Sequence, residues 1–294
     1  MLDRPIVILG APRAGTSVLG HLLEAHPALV HAREPRIVWK YGNDGLSDML
    51  PASAARPDVV AHIRKYFQQL VGDAPGERLL EKTPSNSLRV PFVDKVFPDA
   101  RYIHITRNGF DSAVSIKSFW QNNTSGLGQA HKGPNGSILR QRLKQVKLRQ
   151  VPFYAGEVLK RVMPGRGGAP RSLWGPRLPG LATMAREMSL IEVAGMQWRS
   201  CVERARIDTA AIAPDRYHEL RLEDLDEAAL KAALDFAGLD YADEVREFFR
   251  AEFQPEQTGS RRSALEAMDE AERHALRRVI APTMAWLGYE EPAR

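Results

Sequence analysis

Residues 5–17 read PIVILGAPRAGTS, a short apolar run followed by a glycine-rich turn and the first residues of a helix. Gly10 and Gly15 have the spacing of the glycines in a Walker A phosphate loop, but Thr16 stands where that loop carries its lysine. The nearest cation is Arg13, on the N-terminal side of Gly15. Glycines let the backbone turn tightly, so that N–H groups at a helix N-terminus face an anion. The stretch therefore predicts a phosphate-binding loop that is not built for Mg-dependent hydrolysis of a nucleoside triphosphate.

Apolar runs typical of strands alternate with helical patterns along the chain. Strands are predicted over Pro5–Leu9, Arg78–Lys82, Arg101–Thr106 and Tyr217–Leu222. Helical periodicity follows the first strand and returns over 59–71, 86–96 with an interruption at Pro91, 109–120, 185–205, 227–237, 243–253 and 269–287. This alternation predicts an α/β fold, a P-loop-NTPase-like core with a parallel central sheet flanked by helices. Ligands of such sheets bind beyond the carboxyl ends of the strands, where the glycine loop, Lys82 and Arg107 would fall.

Length and composition favour an ordinary globular protein. The chain has 294 residues, 44% of them hydrophobic, and we expect residues 1–294 to form a single domain. One cysteine, Cys201, excludes an internal disulfide and suits a reducing compartment. No apolar run reaches the roughly 18 residues of a membrane-spanning helix, and the first one runs directly into the glycine turn rather than a signal-peptide cleavage site. The sequence predicts a cytoplasmic location.

The positive charge is concentrated in one segment. The formal net charge is +5, yet residues 131–177 hold eleven Lys or Arg and one acid, Glu157. The rest of the chain is therefore acidic, which argues against a nucleic-acid-binding protein that is basic throughout. Because the segment is rich in Gly and Pro, we expect a basic insertion at about 121–185. It either covers an anionic acceptor as a lid or forms a solvated face.

Three further motifs bear chemistry. Arg107 follows the strand over 101–106, and Ser115 comes two turns into the next helix, so both can reach one phosphate. EKTP at 81–84 puts Lys82 directly after an apolar strand. QTGSRRS at 257–263 is a glycine turn followed by paired arginines.

Together and in this order, these elements resemble the sulfotransferases that use 3′-phosphoadenosine 5′-phosphosulfate (PAPS). Their phosphosulfate loop has the core P-K/R-x-G-T, and their 3′-phosphate motif has an Arg followed by a Ser eight residues later. Many bacterial and Golgi-type members also carry R-x-E-D-L, which matches Arg221, Glu223, Asp224 and Leu225. The resemblance covers residues 5–120 and about 186–290. It implies cofactor-binding roles for Pro12, Arg13, Ala14, Gly15, Thr16, Ser17, Arg107, Ser115, Gly259, Ser260, Arg261 and Arg262.

The resemblance also implies the reaction. A hydroxyl acceptor would attack sulfur in line, and adenosine 3′,5′-bisphosphate would leave, with Lys82 and Arg13 stabilising the departing charge and no metal taking part. The acceptor's base is a histidine in some branches of the family and a glutamate in others. HAREPRIVW offers His31 and Glu34, and its R/K-E-P pattern matches the glutamate branch. We therefore predict Glu34 as the base, with His31 as the alternative.

Two other classes of function stay open on the sequence alone. One is a P-loop kinase or NTPase with a shifted cation. The other is a non-catalytic protein that binds anions or nucleic acid through the basic segment. We expect a small-molecule or carrier-bound hydroxyl acceptor and no nucleic-acid partner, but the motifs do not distinguish a carbohydrate, a lipid or a small metabolite.

Overall fold

A five-stranded parallel sheet forms the centre of the protein. The computed structural model describes residues 2–72, 78–124, 147, 150, 151, 153, 175–212, 214–253 and 268–290. The strands run in the order β2-β3-β1-β4-β5 across the sheet, and every neighbouring pair is parallel. The predicted α/β fold with a parallel central sheet is confirmed. The strands are β1 (Ile6–Leu9), β2 (Leu29–Arg33), β3 (Arg78–Lys82), β4 (Arg101–Thr106) and β5 (Tyr217–Arg221).

Helices connect the strands and continue the chain after β5. Side chains at their N-termini explain where several begin: Asp226 and Asp269 each accept a backbone N–H of the first turn, and Ser189 pairs with Glu192 in a capping box. The helices are α1 (Thr16–Glu24), α2 (Arg36–Trp39), α3 (Pro57–Val71), α4 (Val90–Val96), α5 (Gly109–Thr124), α6 (Leu181–Glu187), α7 (Leu190–Ala210), α8 (Glu227–Ala237), α9 (Asp243–Glu252) and α10 (Glu270–Trp286).

Alternate residues of a strand face opposite sides of the sheet. Because every residue of β1 is apolar, both faces of the sheet are apolar there. Ile6 and Ile8 of β1 belong to a buried cluster with residues of α1, α8 and α9. Val7 and Leu9 belong to a second cluster with α3, α4 and the indole of Trp39. The run IVIL is buried throughout because helices cover both faces of a parallel sheet.

A third apolar cluster lies among α5, α7 and α10. Its largest side chains are the buried Trp120 and Trp198. The bond that Trp198 Nε1 donates to the carbonyl of Arg107, at 3.0 Å, fixes the turn before α5. The cluster thereby positions the end of β4 relative to the rest of the sheet.

Three local predictions were wrong. β2 was not predicted, because LVHAR is short and alternates poorly; it is an edge strand with one neighbour, β3. The helix predicted over 86–96 is a 3-10 turn, Pro84–Leu88, followed by α4. Its break falls at Arg89, whereas Pro91 lies in the first turn of α4, where a missing N–H is tolerated. The helix predicted over 185–205 is two helices, α6 and α7.

Part of the chain falls outside this description. Of the basic insertion predicted at about 121–185, residues 125–146, 148, 149, 152 and 154–174 are not among the described residues. No helix within the described ranges is long and apolar enough to cross a membrane.

Candidate active site

The turn between β1 and α1 has the backbone that its glycines predict. Gly10 has φ +157° and Gly15 has φ +92°. A Cβ on Gly10 would lie 2.6 Å from the carbonyl oxygen of Ile105, so no side chain fits there. Ser87, from the 3-10 turn after β3, accepts the N–H of Gly10 at 2.8 Å and donates to its carbonyl at 3.1 Å. Ser87 therefore holds both backbone polar groups of Gly10, and the loop leads directly into the N-terminus of α1.

Arg13 lies at the outer side of this loop. Its φ of 66° is in the left-handed region that non-glycine residues rarely adopt. The exposed guanidinium donates from Nε to Ser115 Oγ at 2.9 Å, and Arg107 donates to the carbonyl of Arg13 at 3.1 Å. The structure thus brings together two predicted sets of anion-binding residues, from the glycine loop and from the β4–α5 connection. The buried Pro12 and Ala14 shape the turn between them.

A lysine–glutamate pair lies at the carboxyl end of β3. Lys82 Nζ donates to Glu34 Oε1 at 2.6 Å and to Ser17 Oγ at 3.1 Å. Arg36 binds the other carboxylate oxygen, with Nη2 at 2.6 Å. Lys82 is buried, whereas Glu34 keeps part of its surface in solvent. The predicted base and the predicted lysine are in direct contact.

The environment of Glu34 keeps its carboxyl ionised. Burial raises the pKa of Glu34, but the positive charges and hydrogen bonds of Arg36 and Lys82 more than offset this and hold the pKa below its ordinary value. Its backbone has φ 53°, so it shares the left-handed conformation with Arg13. In the described chain only one other non-glycine residue, Arg4, has a positive φ. Such strain is concentrated at functional sites.

His31, the alternative base, pairs with Glu24. Its ring is buried against Gly20 of α1, and Nδ1 lies 3.0 Å from Glu24 Oε2. Burial is the largest influence on His31 and lowers its pKa, an effect that the pairing with Glu24 only partly opposes. The geometry favours Glu34 as the group that can meet a substrate hydroxyl.

The R-x-E-D-L stretch supports the turn that carries Arg107. Glu223 accepts the backbone N–H of Asn108 at 2.8 Å, and Tyr289 donates its hydroxyl to Glu223 at 3.2 Å. Asp226 caps the following helix α8. Residues that lie far apart in sequence therefore hold one connection. The predicted late loop, Gly259, Ser260, Arg261 and Arg262, lies outside the described residues.

A family model described as the sulfotransferase family matches residues 5–150, the part that contains the glycine loop, Glu34, Lys82 and Arg107. The chain belongs to the sulfotransferase family.

Individual relatives agree with this assignment. Nodulation protein NoeE of Sinorhizobium fredii is 30% identical over 129 residues, which are 38% of this chain and 31% of that protein. Protein-tyrosine sulfotransferase A of Caenorhabditis elegans is 27% identical over 126 residues, which are 38% of this chain and 33% of that protein. The chain matches about a third or less of the length of these curated relatives.

Two solved structures share the fold over the whole chain. The sulfotransferase domain from the curacin biosynthetic pathway has a TM-score of 0.55 at 16% identity and covers 99% of both chains. Sulfotransferase STF9 from Mycobacterium avium has a TM-score of 0.56 at 17% identity, covering all of this chain and 79% of that one. The chain therefore has the fold of these sulfotransferases.

Sequence reasoning did not single out Ser87, which shapes the candidate site. Ser87, which holds Gly10, lies in a run of buried polar residues, Thr83–Ser87, directly after β3. Polar residues that are buried next to a strand end need hydrogen-bond partners inside the protein. The polar sequence TPSNS was the available signal, but it does not say which loop it contacts.

Proposed function

We propose that the protein transfers a sulfuryl group from PAPS to a hydroxyl group of an acceptor. The observation that carries the proposal is the 2.6 Å contact between Lys82 Nζ and Glu34 Oε1, beside the glycine loop and Ser17. A cation for the leaving group and a carboxylate for the acceptor proton are the two groups that this reaction needs.

The residues present fit the cofactor. The N-terminus of α1 has no side-chain cap, so its first backbone N–H groups can bind a phosphate, as in other anion-binding helix N-termini. Arg13, Lys82 and Ser17 would hold the 5′-phosphosulfate. Arg107 and Ser115 would hold the 3′-phosphate, which distinguishes PAPS from ATP. Gly259–Arg262 remain predicted to contact the nucleotide.

The chain's own groups account for each charge in the reaction. The acceptor oxygen bonds to sulfur while the bond from sulfur to the bridging phosphate oxygen breaks. Glu34 takes the hydroxyl proton, and Lys82 and Arg13 stabilise the negative charge that collects on the bridging oxygen. Preorganised cations of this kind are a main source of rate in related group transfers.

The contact between Lys82 and Glu34 couples these two roles. While Lys82 donates to Glu34, the carboxylate is a weak base with a lowered pKa. As charge grows on the leaving oxygen, the lysine is attracted toward it and the basicity of Glu34 rises. Proton removal is thereby favoured at the moment when the bond to the leaving group breaks.

For the acceptor we propose a small-molecule or carrier-bound alcohol that is anionic. The support is the basic segment over 131–177, whose charge would attract such a molecule and would be screened by salt. We further propose that residues 1–294 form one sulfotransferase domain that acts in the cytoplasm without a metal.

Replacing the base tests the proposal. With labelled PAPS and a panel of alcohol acceptors, Glu34→Gln is expected to lower kcat by about 10²-fold or more, the usual contribution of a general base. Affinity for adenosine 3′,5′-bisphosphate should stay the same or increase, since a negative charge beside Lys82 is removed. Glu24→Gln is the matched control, because Glu24 pairs with Arg33 and His31 and not with Lys82. Equal turnover in both variants would show that Glu34 is not the base. A wild-type protein that transfers no label to any acceptor would contradict the proposed function.

A further inference from the structure

The residue before Lys82 is a completely buried glutamate with three side-chain donors. Glu81 Oε1 accepts from Trp39 Nε1 at 2.8 Å and from Thr83 Oγ1 at 2.6 Å. Its Oε2 accepts from Asn86 Nδ2 at 2.7 Å. Because strand residues alternate, Glu81 points to the opposite face of the sheet from Lys82 and does not reach the reacting groups itself.

These three donors come from α2, which follows Glu34, and from the segment after β3 that contacts the phosphate loop. Trp39 ends α2, the short helix that begins two residues after Glu34 and contains Arg36. Its indole packs against Phe67, Phe92 and Phe97, and the bond to Glu81 gives this packing a single orientation. One carboxylate therefore joins the end of the strand that carries Lys82 to the helix that follows Glu34.

The other two donors belong to the segment that contacts the phosphate loop. Thr83 precedes the 3-10 turn Pro84–Leu88, and Asn86 lies inside it. The same turn carries Ser87, which exchanges two hydrogen bonds with Gly10. The carboxylate of Glu81 thus also determines where this turn presents Ser87 to the loop.

Burial raises the pKa of Glu81 to about 7, and Asn86 joins its carboxyl group to a buried arginine. The fully buried Arg89 donates from Nε to Asn86 Oδ1 at 2.8 Å, and its Nη1 lies 3.7 Å from Asp48 Oδ1. A buried polar network is stabilising only when its members satisfy one another. Asn86 has one defined orientation here, since its amide donates to Glu81 and its carbonyl accepts from Arg89.

We propose that Glu81 is a positioning residue for sulfuryl transfer, one that sets the distance between Glu34 and Lys82 and the placement of the phosphate loop through Trp39, Thr83 and Asn86. This inference rests on the proposed function for its kinetic consequence, but its geometric consequence can be measured without turnover. A misplacement of about 1 Å from a residue outside the chemistry can cost about 100-fold in rate.

The kinetic test exchanges the carboxylate of Glu81 and the amide of Asn86 between the two positions. In Glu81→Gln, Oε1 keeps both acceptor roles, but the new amide faces the amide of Asn86. In the double variant E81Q/N86D the glutamine amide again has an acceptor, Arg89 keeps its partner, and the net charge is that of the wild type. We expect Glu81→Gln to lower kcat by roughly 10–100-fold and to weaken adenosine 3′,5′-bisphosphate by a smaller factor, and the double variant to recover at least half of each loss on a logarithmic scale.

Asp94→Asn is the matched control. Asp94 accepts from Tyr102 and Arg216 and supports the same face of the sheet without a contact to Glu81, Trp39 or the 3-10 turn. A merely structural effect would lower the melting temperature and leave kcat unchanged, which is the expected result for this variant. If Glu81→Gln behaves in the same way, Glu81 does not position the reacting groups.

The second measurement is the coupling between Glu34 and Lys82 in urea unfolding, from a double-mutant cycle with Glu34→Gln and Lys82→Met. In the wild type we expect a coupling of roughly 5–30-fold in the unfolding equilibrium constant. In the Glu81→Gln background it should fall at least threefold and then recover in E81Q/N86D. Trp39→Phe, which removes the indole donor together with part of a buried ring, should lower it as well and replaces Glu81→Gln if that variant does not fold. An unchanged coupling in these backgrounds would overturn the inference. A lack of turnover by the wild type would overturn only the proposed function, since the coupling needs no turnover.

Discussion

Gly10→Ala is the substitution for which the structure gives the sharpest expectation. Gly10 has φ +157°, and an added Cβ would lie 2.6 Å from the carbonyl oxygen of Ile105 and 2.7 Å from Cγ2 of Thr16. The first contact is to the backbone of the central strand β4, which cannot move aside. The loop would therefore have to shift away from β4, and Ser87 would lose its two bonds to Gly10.

The expected magnitude combines two costs. A non-glycine residue in a rare backbone conformation costs about 1–3 kcal/mol. Forcing extra atoms into a well-packed region costs about 1–3 kcal/mol more. Gly238→Ala is the matched control, because Gly238 has φ +71° at the end of α8 and its Cβ would meet nothing within 4 Å. It should carry only the conformational cost of about 1–2 kcal/mol.

Thermal unfolding and nucleotide titration measure the two consequences. One kcal/mol shifts the melting temperature of a chain of this order of size by about 2–4 °C, so Gly10→Ala should lower it by roughly 4–24 °C and Gly238→Ala by roughly 2–8 °C. Affinity for adenosine 3′,5′-bisphosphate should fall at least tenfold in Gly10→Ala and stay unchanged in Gly238→Ala. Equal melting temperatures together with equal affinities would refute the argument that the backbone of β4 demands a glycine in the loop.

Two more predictions concern single side chains. Arg107→Ala should weaken adenosine 3′,5′-bisphosphate by roughly 10–100-fold, the value of a charge-assisted hydrogen bond, and AMP much less; an equal loss for both ligands in calorimetric titrations would remove Arg107 from the 3′-phosphate site. Burial raises the pKa of Glu219, but hydrogen bonds with His104 and Tyr217 outweigh this effect and lower the pKa from its ordinary 4.5 to about 2. Its contribution to stability is therefore complete above pH 4.5 and is lost as the pH falls toward 2. In Glu219→Gln the melting temperature should depend less steeply on pH across this window than in the wild type, and parallel profiles would contradict the assignment.

Much of the fold was predictable because its signals are local. The alternation of apolar runs and helical patterns predicted four of the five strands, each within one residue at either end. β2 was missed because an edge strand of five residues needs little apolar periodicity when one neighbour supplies its hydrogen bonds. The break at Arg89 was missed because the side chain is buried in a network that no local pattern reveals.

In the candidate site, too, residues in local motifs were predictable and contacts between distant residues were not. Arg13 and Ser115 were recognised from their motifs, but the motifs did not predict that Arg13 would donate to Ser115 across a separation of 102 residues. Glu34 was selected by resemblance, and its contact with Lys82 became visible only in the structure. Glu81 and Ser87 drew no attention in the sequence, since their importance lies in which partners they meet.

The phosphate loop, the strand that precedes it and the helix that follows could be predicted from the sequence alone. These depend on the conformations open to glycine and on apolar periodicity, which act over a few residues. The position of β2 beside β3 depends on the tertiary structure, and through it Glu34 and Lys82, 48 residues apart, share a hydrogen bond. The tertiary structure likewise brought Glu223 to the N–H of Asn108 over 115 residues. Such contacts follow from the order of parallel strands across the sheet, which is set by how the helices pack on its two faces and not by any stretch of the chain alone.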